Sequence, residues 1–453
     1  MRIPKLSLCL AFCAASLLHG QTLENAKPDE RFKVDLLVVV AHPDDESEIG
    51  AYLARAIFDE HKRVAVVFGT RGNQGGNGVG QEQAAALGAI REIEGRRALG
   101  RFGVSEVWFL NGTDTPGQVV LDSLETWGHG DALQRMVRLM RLTRPSVVAT
   151  WLPDRVAGED HGDHQAAGVI ATEAFDLAGD ATAFPEQLAA PRNRWDVGNL
   201  TEGLCPWQPE KLYYFSDAAD KSFMNGQGPT YAASDISPSQ HVSYAQLAAE
   251  ECAFHLTQSD SGQAARAALA KKDFSHTYFA DPVRFVFGKS YVPSSVTADL
   301  FVGVTAAPIA YHRAPGYIER KEQNPRIELG GSWHFYREFW PAHGIEHLAQ
   351  LLSPEIMAQF SAPLTIPVII NNPESTPLDV KLAVAVPAGW KFVQALPNTI
   401  RVDAHDSATV QIALKTAAEQ QGWQTIDIHA NSETSALGDL RIRVELDNAA
   451  MPE

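Results

Sequence analysis

Apolar patterning along the 453-residue chain predicts a mostly parallel α/β sheet with helices on both faces, followed by a C-terminal antiparallel β-sandwich. Three observations carry this. Buried-looking apolar runs alternate with helix-period segments between residues 33 and 304. From 362 to 448, short β-branched runs recur with turn clusters between them. The stretch 305–361 is irregular and rich in aromatics and proline, and it reads as a linker packed on both domains.

The elements follow in order. Val34 to Val40 is a near-continuous apolar run, as in a parallel strand covered on both faces. Ile49, Tyr52, Leu53, Ala56 and Ile57 then recur at helical spacing. Val64 to Phe68 is a second strand, Gln83 to Arg101 a helix and Val107 to Leu110 a short strand. Leu133, Met136, Val137 and Met140 share one helical face. Val147 to Leu152 is a strand, and a helix follows from His164 to about Leu177. Lys211 to Phe215 and Phe285 to Tyr291 read as strands flanking a helix at Tyr244 to His255. Strand–helix alternation of this kind is Rossmann-like, and its ligands sit at the carboxyl ends of the strands. In the sandwich, runs such as Thr365 to Ile370, Val380 to Val386 and Thr425 to His429 are separated by turns such as Asn371-Asn372-Pro373.

Composition bounds the function. Hydrophobic residues make up 45% and charged residues 21%, ordinary values that exclude disordered and small disulfide-scaffold classes. The net charge of −17 argues against nucleic acid or an anionic membrane as partner. Arg2 and Lys5 lead an apolar run, Leu6 to Leu18, that is too short to span a bilayer, and a small residue precedes Gln21. Residues 1–20 therefore read as a signal peptide, and a secreted or periplasmic chain is expected, with no integral membrane segment left after cleavage. Losing Arg2 and Lys5 takes the net charge to −19. Two cysteines remain, Cys205 and Cys252, and spacing leaves their pairing open.

Two motifs carry chemistry. Ala41-His42-Pro43-Asp44-Asp45-Glu46 falls where the first strand gives way to the first helix. His42 and Asp45 are three apart at a turn, so both can face one divalent ion. Asp44 between them can serve as general base beside a metal-bound water. Glu159-Asp160-His161-Gly162-Asp163-His164 follows the strand Val147 to Leu152, at the same expected edge. His164 completes a His/Asp/His set. His161 stands where it can stabilise an oxyanion or protonate a leaving amine, and Asp160 or Asp163 can orient a histidine from behind.

These motifs resemble those of the PIG-L/LmbE family of zinc-dependent N-acetylglucosaminyl deacetylases. The similarity extends through Thr70-Arg71-Gly72, Arg91-Glu92, Asn111-Gly112-Thr113-Asp114, Lys211 to Phe215 and His255-Leu256-Thr257-Gln258, and so spans most of 34–304. The resemblance implies His42, Asp45 and His164 as metal ligands, Zn2+ with Fe2+ or another divalent metal as alternatives, Asp44 as base and His161 as oxyanion-stabilising group or acid. It also implies that Arg91 and Asp114 contact substrate, and His255 is expected to line the pocket. One departure is Glu159, where some relatives carry a pocket tyrosine. The C-terminal sandwich resembles Ig-like accessory modules of secreted glycan-active enzymes.

The function expected is an exported metal-dependent de-N-acetylase acting on an N-acetylated amino-sugar glycan or conjugate. The alternatives are a glycan-binding protein with a degenerate site, or a metal amidohydrolase for a non-sugar amide. Oligomeric state is left open. The loop Gly72 to Gly80 has neither G-K-[ST] nor a G-x-G-x-x-G opening a helix, so it reads as a mobile loop over the site rather than a nucleotide loop. His343 and His347 lack the glutamate of a zinc-protease helix, and His129 reads as structural. Trp333, Phe335, Tyr336, Phe339 and Trp340 are expected to pack against the sandwich.

Overall fold

The computed structural model describes residues 27–154, 161–189, 203–218, 220–275, 277–305, 307–318, 323–351, 354–359, 363–417, 422–433 and 435–447. The signal-peptide segment 1–20 lies outside the described residues, as do Glu159 and Asp160 of the second motif.

The first domain is built on a six-stranded sheet. Its strands are β1 (Leu36–Val40), β2 (Val64–Phe68), β3 (Val107–Phe109), β4 (Val147–Trp151) and β5 (Lys211–Phe215), followed, after the small pair β6 (Thr230–Tyr231) and β7 (Val283–Arg284), by β8 (Val286–Ser290). The spatial order is β3-β2-β1-β4-β5-β8, parallel except for β8, which runs antiparallel to β5. Every residue of β1, β2, β4 and β5 is buried, which is why these strands read as unbroken apolar runs. The helices are α1 (Gly50–Phe58), α2 (Ala84–Arg101), α3 (Val120–Thr126), α4 (His129–Thr143), α5 (Gly162–Leu177), α6 (Tyr244–Cys252) and α7 (Ala264–Lys271).

The chain leaves β1 toward β2 on one side, while β4 lies against β1 on the other. In open α/β sheets such a reversal marks where ligand sites form, at the carboxyl ends of the strands, here β1 and β4. Their register pairs Val39 with Thr150, so the segments following Val40 and Trp151 emerge side by side. The two motifs, more than a hundred residues apart in sequence, are thereby brought together.

The C-terminal region holds two sheets, ordered β10-β17-β16-β12-β14 and β13-β15-β11-β9. Their strands are β9 (Arg326–Leu329), β10 (Glu355–Gln359), β11 (Pro363–Asn372), β12 (Leu378–Ala385), β13 (Lys391–Phe392), β14 (Ile400–Val402), β15 (Asp406–Lys415), β16 (Gly422–Asn431) and β17 (Ala436–Asp447). Pairing is antiparallel except between β10 and β17. Alternate residues of both sheets, among them Val368, Ile412, Ile428 and Val444, share one core, as in a sandwich.

The 305–361 stretch differs from its irregular reading. It contains β9, which pairs with β11, then α8 (Ser332–Ala342), then β10. The aromatic cluster is also corrected: Tyr336, Phe339 and Trp340 join the core of the α/β domain and Phe335 packs against it, whereas only Trp333 packs against the sandwich core. Helical spacing puts 336, 339 and 340 on one face, and that face meets the larger apolar surface. His343 binds Asp176 through Nδ1 at 2.7 Å and His347 reaches the Phe287 carbonyl, both structural contacts. His129 pairs with Glu173, tying α4 to α5. Cys205 and Cys252 are free thiols, not a disulfide. Among the described residues no helix is long and apolar enough to cross a membrane.

Candidate metal centre

His42 begins the turn after β1, and Asp45 closes it. One oxygen of Asp45, Oδ2, accepts three N–H bonds: from Ala41 N and His42 N at 2.9 Å each, and from Trp151 Nε1 at 2.8 Å. That fixes the carboxylate and leaves Oδ1 aimed at two imidazoles. His42 Nδ1 lies 3.6 Å from Oδ1, and His164 Nε2 lies 3.4 Å from it. Two ligands of one tetrahedral ion, each about 2.1 Å from it, stand about 3.4 Å apart. The donor set of two nitrogens and one oxygen, at this spacing, fits a divalent ion.

Each imidazole is oriented from behind. Asp163, wholly buried, accepts from Thr115 N at 2.9 Å and from Thr115 Oγ1 at 2.7 Å. Despite burial, its bonds to His42 and Thr115 hold its pKa down to about 2. It is therefore a carboxylate acceptor, and His42 Nε2, 3.2 Å away, must carry the proton between them. That tautomer leaves Nδ1 free to ligate. His164 stacks on Trp151, with ring centroids 4.4 Å apart and planes 6° from parallel. Its buried Nδ1 has no hydrogen-bond partner, and the nearest carboxylate is Asp217 at 3.6 Å. Burial would lower the pKa of both ligands, but Asp45 and the other surrounding carboxylates outweigh it and raise them.

Asp44 sits beside this set with φ +111°, a left-handed conformation rare for a residue with a Cβ. Ser261 Oγ donates to its Oδ2 at 2.6 Å. Burial pushes its pKa up to about 6, against the nearby charge of His255. His161 caps α5, with its ring 4.8 Å from that of His42. Burial and the two neighbouring histidines push its pKa down to about 3, so its ring is neutral. Nitrogen atoms of His42, His161 and His164 lie within 4.8 Å of one another, so His161 is also within reach of the ion.

The remaining expected site residues divide. Asp114 is brought in: its Oδ1 is buried without a hydrogen-bond partner, 3.9 Å from His42 Nε2, while Oδ2 accepts from Gln74 N. Arg91 is buried and turned to the glycine loop, with Nη1 and Nη2 on the carbonyls of Gly72 and Gly76 at 2.6 and 2.7 Å, and Nε on Thr257 Oγ1. A Cβ at Gly72 or Gly75 would come within 2.6 or 2.7 Å of Arg91 Nη1 and would have to displace the guanidinium, and Gly72 has in addition a left-handed φ of +65°. The loop is held at several points, including Gly78 N to the Thr257 carbonyl.

His255 does not line the pocket, which corrects the expectation. It is wholly buried, and its Nε2 meets Glu46 Oε1 at 2.9 Å and lies 4.0 Å from Glu251 Oε1. Burial would discharge it, but the Glu46 carboxylate raises it to about 9. Burial and Glu46 raise Glu251 well above the usual carboxylate range. The 2.9 Å contact is a hydrogen-bond length, shorter than the about 3.4 Å that two ligands of one ion keep. This cluster is a buried His255–Glu46 hydrogen bond with Glu251 beside it. Thr115, Asp217 and Ser261 are not singled out by the sequence, and Glu46 appears there only as the last residue of the first motif, without a role. Of the first three, Asp217 carries a usable signal, since it lies two residues past the end of β5.

The family model described as PIG-L, GlcNAc-PI de-N-acetylase, matches residues 37–175. A 1D-myo-inositol 2-acetamido-2-deoxy-alpha-D-glucopyranoside deacetylase from Streptomyces scabiei is 32% identical over 190 residues, 38% of this chain and 57% of that one. One from Tsukamurella paurometabola is 30% identical over 204 residues, 39% of this chain and 68% of that one. The matches cover little more than half the length of the first relatives, at 57%, 54% and 59%. Among solved structures, an N,N'-diacetylchitobiose deacetylase from Pyrococcus horikoshii is 16% identical, covering 58% of this chain and 88% of that one at a TM-score of 0.38. The motif residues meet at one sheet edge, and the similarity runs over two thirds of the Tsukamurella relative: the chain belongs to the PIG-L family.

Proposed function

We propose that this chain is an exported, metal-dependent de-N-acetylase that hydrolyses the acetamide of an N-acetylglucosamine-containing glycan or conjugate. The observation behind it is Asp45 Oδ1, set at ligand spacing from His42 and His164 with a strained, half-buried carboxylate, Asp44, beside it. The relatives' names supply the acetamido-sugar class, and the charged, apolar N-terminus supports export.

His42, Asp45 and His164 would hold the ion, with zinc the first choice for nitrogen and oxygen donors and Fe2+ or another divalent metal as alternatives. A divalent ion there supplies a Lewis acid for the acetyl carbonyl and makes water a better nucleophile at neutral pH. Asp44 accepts the proton of the attacking water. His161, neutral and at the N-terminus of α5, donates a hydrogen bond to the developing oxyanion, and the proton that Asp44 has taken from water is the one passed to the leaving amine. Asp163 and Thr115 keep His42 in its ligating tautomer. Asp114 faces the same space and can accept from a sugar hydroxyl.

The test uses the exported chain. Its N-terminus is expected at Gln21, with about one metal per chain that His164→Ala loses. Asp44→Asn should keep the metal and lose turnover on an N-acetylglucosaminide by about 10²- to 10⁴-fold. An active Asp44→Asn variant removes Asp44 from the chemistry, absence of metal in the wild type removes the hydrolase, and an uncut cytosolic chain removes export.

A further inference from the structure

We infer that the segment 255–261 is a positioning clamp on Asp44. His255 and Gln258 hold the strained turn around it, and Ser261 fixes which carboxylate oxygen faces the reaction. The inference rests on the reading of Asp44 as the base. It lies beyond residues 37–175, the span of the family match.

A residue with a Cβ at φ +111° is strained and persists only where its surroundings hold it. Three contacts hold Asp44. Its own N–H donates to Glu46 Oε2 at 2.9 Å. The carbonyl before it, Pro43 O, accepts from Gln258 Nε2 at 2.5 Å. Its Oδ2 accepts from Ser261 Oγ at 2.6 Å. Both sides of the Pro43–Asp44 peptide are thus fixed, as is the side-chain torsion. Glu46 is in turn anchored through Oε1 by His255 Nε2, both residues having no exposed surface.

The Ser261 bond has a chemical consequence. A carboxylate free to rotate presents either oxygen to water. With Oδ2 engaged by a hydroxyl, Oδ1 alone is left to take the proton. Proximity gains depend on such placement, and a misplacement of about 1 Å costs about a hundredfold.

The segment is shaped for this. It runs from the end of α6 into a π-type turn, Ser259–Gln263, a local irregularity frequent at functional sites. Gly262 lies so close beneath His255 that a Cβ there would sit 2.0 Å from the His255 carbonyl oxygen. Thr257 extends the grip, accepting from Gly78 N and donating to Glu94 Oε2 at 2.7 Å. One short segment thereby ties the base and the glycine loop to the same support.

The test compares the full-length wild type with Ser261→Ala, Ser261→Thr and His255→Gln, each loaded with zinc. Readouts are kcat and KM for amine release from N-acetylglucosaminides, together with metal content and Tm. Ser261→Ala is expected to lose about 10- to 100-fold in kcat, with KM within about twofold and metal content unchanged. Ser261→Thr, which restores the hydroxyl, should recover most of the loss. His255→Gln should also lower kcat in the fraction that remains folded. An active wild type whose Ser261→Ala variant keeps its kcat overturns the clamp and leaves the deacetylase reading standing. A wild type that holds metal but releases no amine overturns the deacetylase reading. The clamp is then decided by a crystal structure of Ser261→Ala, where an Asp44 unchanged in backbone and rotamer overturns it.

Discussion

Trp127 lies flat against Gly69 and Gly112, the residues just past β2 and near the end of β3. A Cβ at Gly69 would stand 2.1 Å from Trp127 Cη2, and one at Gly112 2.8 Å from Trp127 Cγ. Neither clash is with the free end of a flexible chain, since the indole is itself buried. Gly69→Ala is therefore expected to destabilise by about 1–3 kcal/mol, the range of core overpacking, read as a lower urea midpoint at constant m. An unchanged midpoint would show that Trp127 swings aside freely. At this scale the sequence is informative where chemistry sits directly after a buried strand, as for His42 and Asp45, whereas Asp114 is reached only through the family resemblance. The sequence is uninformative where a residue's partner lies far along the chain. Ser261 is 217 residues from Asp44, and Thr115 is 48 from Asp163. No local pattern encodes those pairs. His255 was misplaced for a related reason: a histidine just past a helix end carries no sign of whether that end is covered.

Among the elements, α8 shows what patterning does and does not reveal. Its aromatics announced burial, but their partner was misjudged, because an apolar stripe states that it is covered and not by what. Tyr336, Phe339 and Trp340 pack on the α/β core, and Tyr336 OH reaches Gln165 Oε1 at 3.3 Å, next to His164 on α5. Trp340→Ala should cost about 3–5 kcal/mol of stability, measured by denaturant unfolding of the α/β domain. A loss near zero would mean that the helix merely rests on that surface. The parallel strands were legible nearly to the residue, since burial on both faces leaves continuous apolar runs. Strand β9 was not, being four residues long with charges at two of them, Arg326 and Glu328. It becomes a strand by pairing with β11, a tertiary cause with no local trace.

At the scale of the molecule, the place of the site follows from strand order. The reversal between β1's two neighbours sets it, and the two motifs point to it in the sequence, because each follows a buried strand. The support for the base did not come from that local logic. Residues 43–46 close against 255–261, across about two hundred intervening residues. Long loops close late, after nearer contacts have shortened the chain. The strained Asp44 turn is therefore expected to lock late in folding. In refolding from denaturant with zinc present, far-UV ellipticity should return first and amine release after it, in a slower phase. Equal rates for both signals would mean that the turn forms with the sheet. Such a lag would leave a folded sheet whose Asp44 is not yet seated, until the contacts of 255–261 form.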